Sequence, residues 1–355
     1  MCSTADLDRV IVARAVADDL VRGLRLGVQK RLDLASVGGF DRAVAVLASE
    51  LRGATSTSEA DAVRRAVAAL DVDWRTTSPA DRRRLVAEAM REVGRALAHV
   101  PTRVEATLGP TATKVVQATR RDLRSGGLTI GVKPNAVDER MVRHVVRTQT
   151  NFVRDAAGRH VEALGQRARE VVASGLERGL GRDAMAEELA AAARAALVVR
   201  DSAYWEVVAG AFTSNARSFA QLSSFAEAGI QRYRIEAVMD ERTTEICRYL
   251  DGKVFEVGDA LRRFDRLDRL SRPEDIRREQ PWVRTGVDAE SGRRVMFIDR
   301  DGERTRLGEV ARSGVGTSDD PGEFDRMVSN AELMDLGVSW PPYHGLCRST
   351  CLAVV

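Results

Sequence analysis

Four side chains in this 355-residue chain could hold a soft metal ion: Cys247, His344, Cys347 and Cys351. Three of them stand in "WPPYHGLCRSTC", Trp340–Cys351, where His344 and Cys347 are three apart and Cys347 and Cys351 four apart. A tetrahedral zinc centre needs four sulfur or nitrogen donors, with pairs close enough in sequence to bracket the ion. His-x2-Cys-x3-Cys after the Pro341-Pro342 corner supplies three, and Cys247 supplies the fourth. Two other chemistries stay open on spacing alone. Free cysteines are common in cores, and a late cysteine could close a disulfide with Cys247. No Cys-x2-Cys pair decides between these readings. Cys2 lies apart from the set.

A nucleophilic reading would pair a cysteine with His344. No nucleophile elbow and no Gly-rich oxyanion loop accompanies them. The segment "YHGLCRSTCLAVV" contains no Asp or Glu, so a hydrolytic metal would have to borrow Asp240 or Glu241 as base. Asp240 is better explained as the cap of a short helix, and Arg348 is expected to pair with Asp240 or Asp251. The Gly-x-Gly of "SGVGTSDD" lacks a following Lys-Ser/Thr, which argues against phosphate cradling. "ATSTSEAD" reads as a helix cap. His99, His144 and His160 sit on Arg-rich helical stretches and read as surface or interface residues.

The elements that position these residues fall into two classes. The first two-thirds is helical in pattern, beginning with Leu7, Val10, Ile11, Ala15, Leu20, Leu24 and Val28 at three- and four-residue spacing. "SPADRRRLVAEAMREVGRALAHV" has Ser78 as N-cap and Pro79 at the first helical position, and Pro101 ends it near His99. Asn135 is the expected cap after a Gly-rich break. At "IQRYRIEAVMD" the period changes to two, with Tyr233, Ile235 and Ala237 alternating with Arg234 and Glu236. A short helix carrying Cys247 follows, stopped by the turn Asp251-Gly252. Two strand-like runs flank Asp301-Gly302. "SGVGTSDDPG" reads as a loop, "EFDRMVSNAELMDLG" as a helix ending at Gly337, and "CLAVV" as a short strand. The expected fold class is α+β: an N-terminal all-α helical domain over 1–230, then a small mixed α/β C-terminal domain over 231–355.

Composition narrows the setting. Only four of 55 basic residues are Lys, so the positive charge is carried by planar guanidinium forks suited to phosphate and carboxylate. Residues 236–355 carry 19 basic and 24 acidic side chains, against 36 and 28 in residues 1–235. A basic front and an acidic back suggest different partners for each. No apolar run approaches the ~20 residues that span a bilayer, so no membrane role is expected. "MCSTADLDRV" has early acids and no apolar core, unlike a signal peptide. Four cysteines do not make a disulfide framework, which fits folding in a cytoplasm.

Two blocks together resemble the phage Mu protein F-like family of minor head, or head morphogenesis, proteins. Asp240, Arg242, Thr243, Cys247, Leu250, Asp251 and Gly252 match the first block, within "MDERTTEICRYLDGKVF". Pro341, Pro342, His344, Cys347, Arg348 and Ser349 match the second. The resemblance covers about 235–355 and does not extend by motif into the helices. It implies a structural protein and not an enzyme, placed inside the virion head near the portal after assembly in the host cytoplasm. Implied partners are the portal protein, major capsid or scaffold proteins, and packaged double-stranded DNA bound without sequence preference. Cys or His alternating at the position of Cys247 implies one structural zinc. Some relatives carry a toxin or protease after this domain, and none is expected here. The alternatives are a metal-dependent enzyme or toxin using His344 and the cysteines, and a non-specific DNA-binding module.

Overall fold

Side-chain caps start several helices of the first half in a computed structural model that describes residues 32–197 and 202–355. The expected helix over Leu7–Val28, and Cys2, lie outside the described residues. Ser36 accepts from the Gly39 N–H at 3.1 Å and opens α1 (Val37–Leu70). Ser78 caps α2 (Pro79–Leu97) as expected, with Pro79 at its first position. After α3 (Val100–Ser125), Asn135 and Asp138 form a reciprocal capping box at the start of α4 (Ala136–Glu177). "ATSTSEAD" is not a cap: it lies inside α1, where the Thr55 hydroxyl donates back to the Leu51 carbonyl at 3.1 Å.

α5 (Arg182–Leu197) and α6 (Ser202–Glu227) complete the helical part. α6 runs through the core of residues 34–355. Trp205, Phe212, Phe219, Leu222 and Phe225 are fully buried along it, and it packs on α1, α3 and α4. A helix buried around most of its circumference belongs inside a core. An ion triad locks this packing: buried Arg120 of α3 donates to buried Asp138 of α4 at 2.8 Å and to the partly exposed Glu227 of α6 at 2.7 Å.

The switch to period two at Gln231 is observed. β1 (Arg232–Glu236) buries Tyr233 and Ile235 and exposes the residues between them. It is followed by α7 (Glu245–Leu250), β2 (Val254–Glu256), α8 (Val257–Leu267) and α9 (Pro273–Glu279). Four strands come next: β3 (Val283–Val287), β4 (Arg294–Arg300), β5 (Glu303–Arg312) and β6 (Glu323–Asp325). α10 (Asn330–Asp335) and β7 (Thr350–Val354) end the chain. "EFDRMVSNAELMDLG" is therefore a strand and then a helix, because Ser329 and Glu332 form a capping box that starts the helix only at Asn330. The strands make two antiparallel sheets, β2-β1-β7 and β3-β4-β5-β6. The β4–β5 hairpin closes through Asp301 and Gly302, both at positive φ, the conformation of a type I′ turn. The α+β class is observed.

Residues Leu34–Val355 form one compact unit. An aromatic cluster joins its helices to its sheets: Phe219 of α6 lies 5.0 Å from Phe264 of α8 and 6.0 Å from Trp340. His144 of α4 meets Phe219 and Phe264 edge-on. His144 is thus a core residue and not a surface one, whereas His99 is exposed. Among the described residues no helix is long and apolar enough to cross a membrane.

Candidate metal centre

The two sequence blocks meet at one point. The sulfur of Cys247 lies 3.1 Å from His344 Nε2 and 3.8 Å from the sulfur of Cys347. The three ligand atoms all lie within 4.8 Å of one another. Thr244 is the N-cap of α7, accepting from the Cys247 N–H at 3.4 Å, and its hydroxyl sits 3.2 Å from His344 Nε2. The expected cap, Asp240, is one turn too early: the residue before the helix is Thr244, with extended backbone and a side chain accepting from the Cys247 N–H.

The second block is held by a turn, the Cys347 N–H donating to the His344 carbonyl at 3.2 Å. It follows a cis peptide between Pro341 and Pro342. Its close seating on α6 depends on two glycines. A Cβ on Gly210 would lie 2.7 Å from the Gly345 carbonyl, and one on Gly345 would lie 2.4 Å from Val207. Neither clash can be relieved without moving the loop or the helix. The loop carrying His344 and Cys347 is therefore seated on α6.

Charge pairing fixes the surroundings. Arg348 forks onto Asp240 at 2.7 and 2.5 Å, the first of the two pairings expected for it. That guanidinium holds the Asp240 carboxyl down at about 2. Asp240 also accepts from the Arg242 N–H at 3.0 Å, and the Arg242 side chain reaches Asp41. The Thr243 hydroxyl donates to the Val238 carbonyl and accepts from the Asp240 N–H at 3.2 Å. Asp251 accepts from the Ala237 N–H at 2.8 Å, and Gly252 turns the chain at φ 73. The motif residues of the first block thus build the loop that presents Cys247.

Three residues outside the sequence reading support this arrangement. Arg217 of α6 donates to the carbonyls of Leu34, Arg348 and Ser349 at 3.2, 2.9 and 2.8 Å. Burial lowers its guanidinium to about 10. Arg248 of α7 is buried and donates to the carbonyls of Thr243, Asp240, Thr317 and Asp320, pinning the "SGVGTSDD" loop. Gln221 accepts from the Cys351 N–H at 3.2 Å and donates to Thr350 at 2.8 Å. Arg217 and Gln221 were illegible because a polar residue on an apolar helix declares no partner.

Cys351 is not part of the three-ligand cluster. It is the second residue of β7, after Thr350, pairs with Ile235 in the ladder and is fully buried. Burial raises its thiol well above the ordinary value. Burial also pushes Cys347 up, but the Cys247 thiol donating to it and the charge of His344 more than reverse this, leaving Cys347 at about 5. Cys247, as donor to Cys347 and itself buried, is raised. Two sulfurs stand side by side with an imidazole, Cys247 being the harder of the two thiols to ionise.

This donor set fits a soft divalent ion. Two sulfurs each about 2.3 Å from a tetrahedral ion lie about 3.8 Å apart, which matches the 3.8 Å between Cys247 and Cys347. A disulfide would need about 2.0 Å, so the observed pair is reduced. The Cys247, His344 and Cys347 cluster could bind a metal.

The family model described as Phage Mu protein F like protein matches residues 166–266. The match supports the resemblance to the Mu protein F-like family, with different limits from those of the motifs. It runs from the end of α4 through α5 and α6 into α8, taking in the first block and leaving α1, α2 and α3 outside. The second block, Pro341–Ser349, lies beyond it. No curated protein and no solved structure matches the chain.

Proposed function

We propose that this chain, a relative of the Mu protein F-like proteins, is a minor head protein of a tailed phage or prophage-derived particle. In this reading it docks on the portal inside the head and assists head assembly, DNA packaging or ejection. The family match over residues 166–266 carries the reading; at its coarser level that match supports a phage head morphogenesis protein. Major capsid or scaffold proteins are further partners in this proposal. The basic front of the chain would lie near packaged duplex DNA, and that contact would weaken steeply with salt as counterions are released.

The second part of the proposal is that Cys247, His344 and Cys347 hold one structural zinc. The ion would tie the loop before the last strand to α7, near the start of the mixed region, across 100 residues. A structural zinc supplies folding free energy, since no preformed site exists in the unfolded chain. Asp240, which an enzyme reading would use as base, is instead held in a fork by Arg348.

Co-expression with the portal protein of the same genome tests the docking. The full chain should co-purify with portal rings and be lost when the portal is omitted. Absence of any association in native lysates, with both proteins folded, would overturn it.

A further inference from the structure

Among the described residues only three His, Cys, Asp or Glu side chains converge on the centre. Structural zinc sites are usually closed by four protein ligands, whereas sites with three keep a position for an external one. The ligands are also unevenly covered. Cys247 and Cys347 are buried, at 4% and 0% exposure. His344 is half-buried and lines a surface pocket of about 360 Å³ together with Thr244, Trp282, Leu346, Arg242 and Arg348. The remaining side of the cluster therefore opens past His344 into this pocket. Trp282 and Leu346 are nearly half exposed on its wall.

We infer that a metal held by Cys247, His344 and Cys347 keeps one exchangeable coordination position, reached through this pocket, and that it takes a small anion or carboxylate in place of water. The inference rests on the metal reading proposed above. The chemistry follows from the charges. A dipositive ion with two thiolates and a neutral imidazole would carry no net charge, so any preference for an anion would come from the rim guanidiniums of Arg242 and Arg348, which are paired with Asp41 and Asp240. Arg242 reaches Asp41 from an exposed position, its side chain 67% accessible. It can turn toward an incoming anion at little cost, because exposed pairs are worth under about 1 kcal/mol. Arg348 is committed to Asp240 and shapes the rim. The exchange is a substitution: the water leaves with its electron pair and the anion donates one, with no change in oxidation state.

Cobalt(II) in place of zinc reports this directly. The full-length chain, loaded with one equivalent of cobalt, should show a sulfur-to-cobalt charge-transfer band and visible bands of a tetrahedral ion. Azide should shift the visible bands saturably. Cys351→Ser should keep both the stoichiometry and the azide response. Arg242→Ala should keep the stoichiometry and weaken azide binding by about threefold. If cobalt binds but its bands ignore azide, or Cys351→Ser loses the metal, the centre is closed by a fourth protein donor; the inference then fails while the metal reading stands. An azide response unchanged in Arg242→Ala would overturn the pocket as its entrance. If no cobalt binds to the folded chain, the metal reading falls and the inference with it.

Discussion

Arg348 and Asp240, 108 residues apart, meet in a two-pronged ion pair beside the three-ligand cluster. Arg348 is 9% exposed and Asp240 35%. Arg348→Ala is expected to cost about 2 kcal/mol, less than a fully buried pair because Asp240 stays partly solvated. The pair also has an acid signature. The folded carboxyl, at about 2, is depressed below its unfolded value of about 3.9. The stabilisation is therefore present above about pH 4 and lost as pH falls toward 2. NMR titration of Asp240 should return a value near 2 that climbs toward the ordinary range in Arg348→Ala. An ordinary value in the parent chain would contradict the pairing.

Arg217 stitches the centre to α6. Replacing it with Met leaves the carbonyls of Leu34, Arg348 and Ser349 without their donor inside the core. The expected loss is about 3 kcal/mol. Metal affinity should fall with it, because two of those carbonyls directly follow Cys347. Denaturant unfolding of both chains, with and without added zinc, measures the two effects. A loss of stability without a loss of affinity would show that Arg217 supports the core alone.

Much of this was legible in the sequence. The alternation Tyr233, Ile235, Ala237 is the signal of a strand half-buried on one face, and the caps Ser78 and Asn135 act locally through their own backbone. The turn Asp301-Gly302 needs positive φ, which those residue types tolerate. The meeting of Cys247 with His344 and Cys347 followed from donor chemistry and from the two-block resemblance. What escaped were relations made only by tertiary packing. His144 has Arg neighbours in sequence yet points into an aromatic cluster. Cys351 is near Cys347 in the chain, but the alternation of β7 turns it toward α6 and the ladder. Asp240 and Thr244 are both good caps, and only the fold shows that Thr244 does the capping. Gly210 gave no sign that a loop 135 residues later would lie against it.

His144 makes the stability pH-dependent. Burial lowers it from the model-peptide value of 6.5 to about 4, against the opposing pull of Asp268. Between those values the unfolded chain binds a proton that the folded chain does not. Stability should therefore fall as pH drops from about 6.5 to about 4, by about 3 kcal/mol in all. His144→Phe keeps a ring against Phe219 and Phe264 and should flatten this slope. Equal slopes in the two chains, from urea unfolding across that range, would place the protonation elsewhere.

Gly345→Ala tests the seating of the ligand loop on α6. The added methyl would meet Val207 at 2.4 Å, forcing the loop outward. The expected result is weaker metal binding by at least about tenfold with most helical circular dichroism retained, since a shift near 1.4 kcal/mol suffices. Unchanged affinity would mean that the loop is free of the helix.

The account stands most directly on the metal content of the protein. The full chain, purified without chelator, should carry about one zinc per chain by elemental analysis, and Cys247→Ser should carry none. Removing the metal should lower the unfolding temperature by several degrees. A folded, reduced parent chain without stoichiometric zinc, and with an unfolding temperature indifferent to chelator, would contradict the structural zinc.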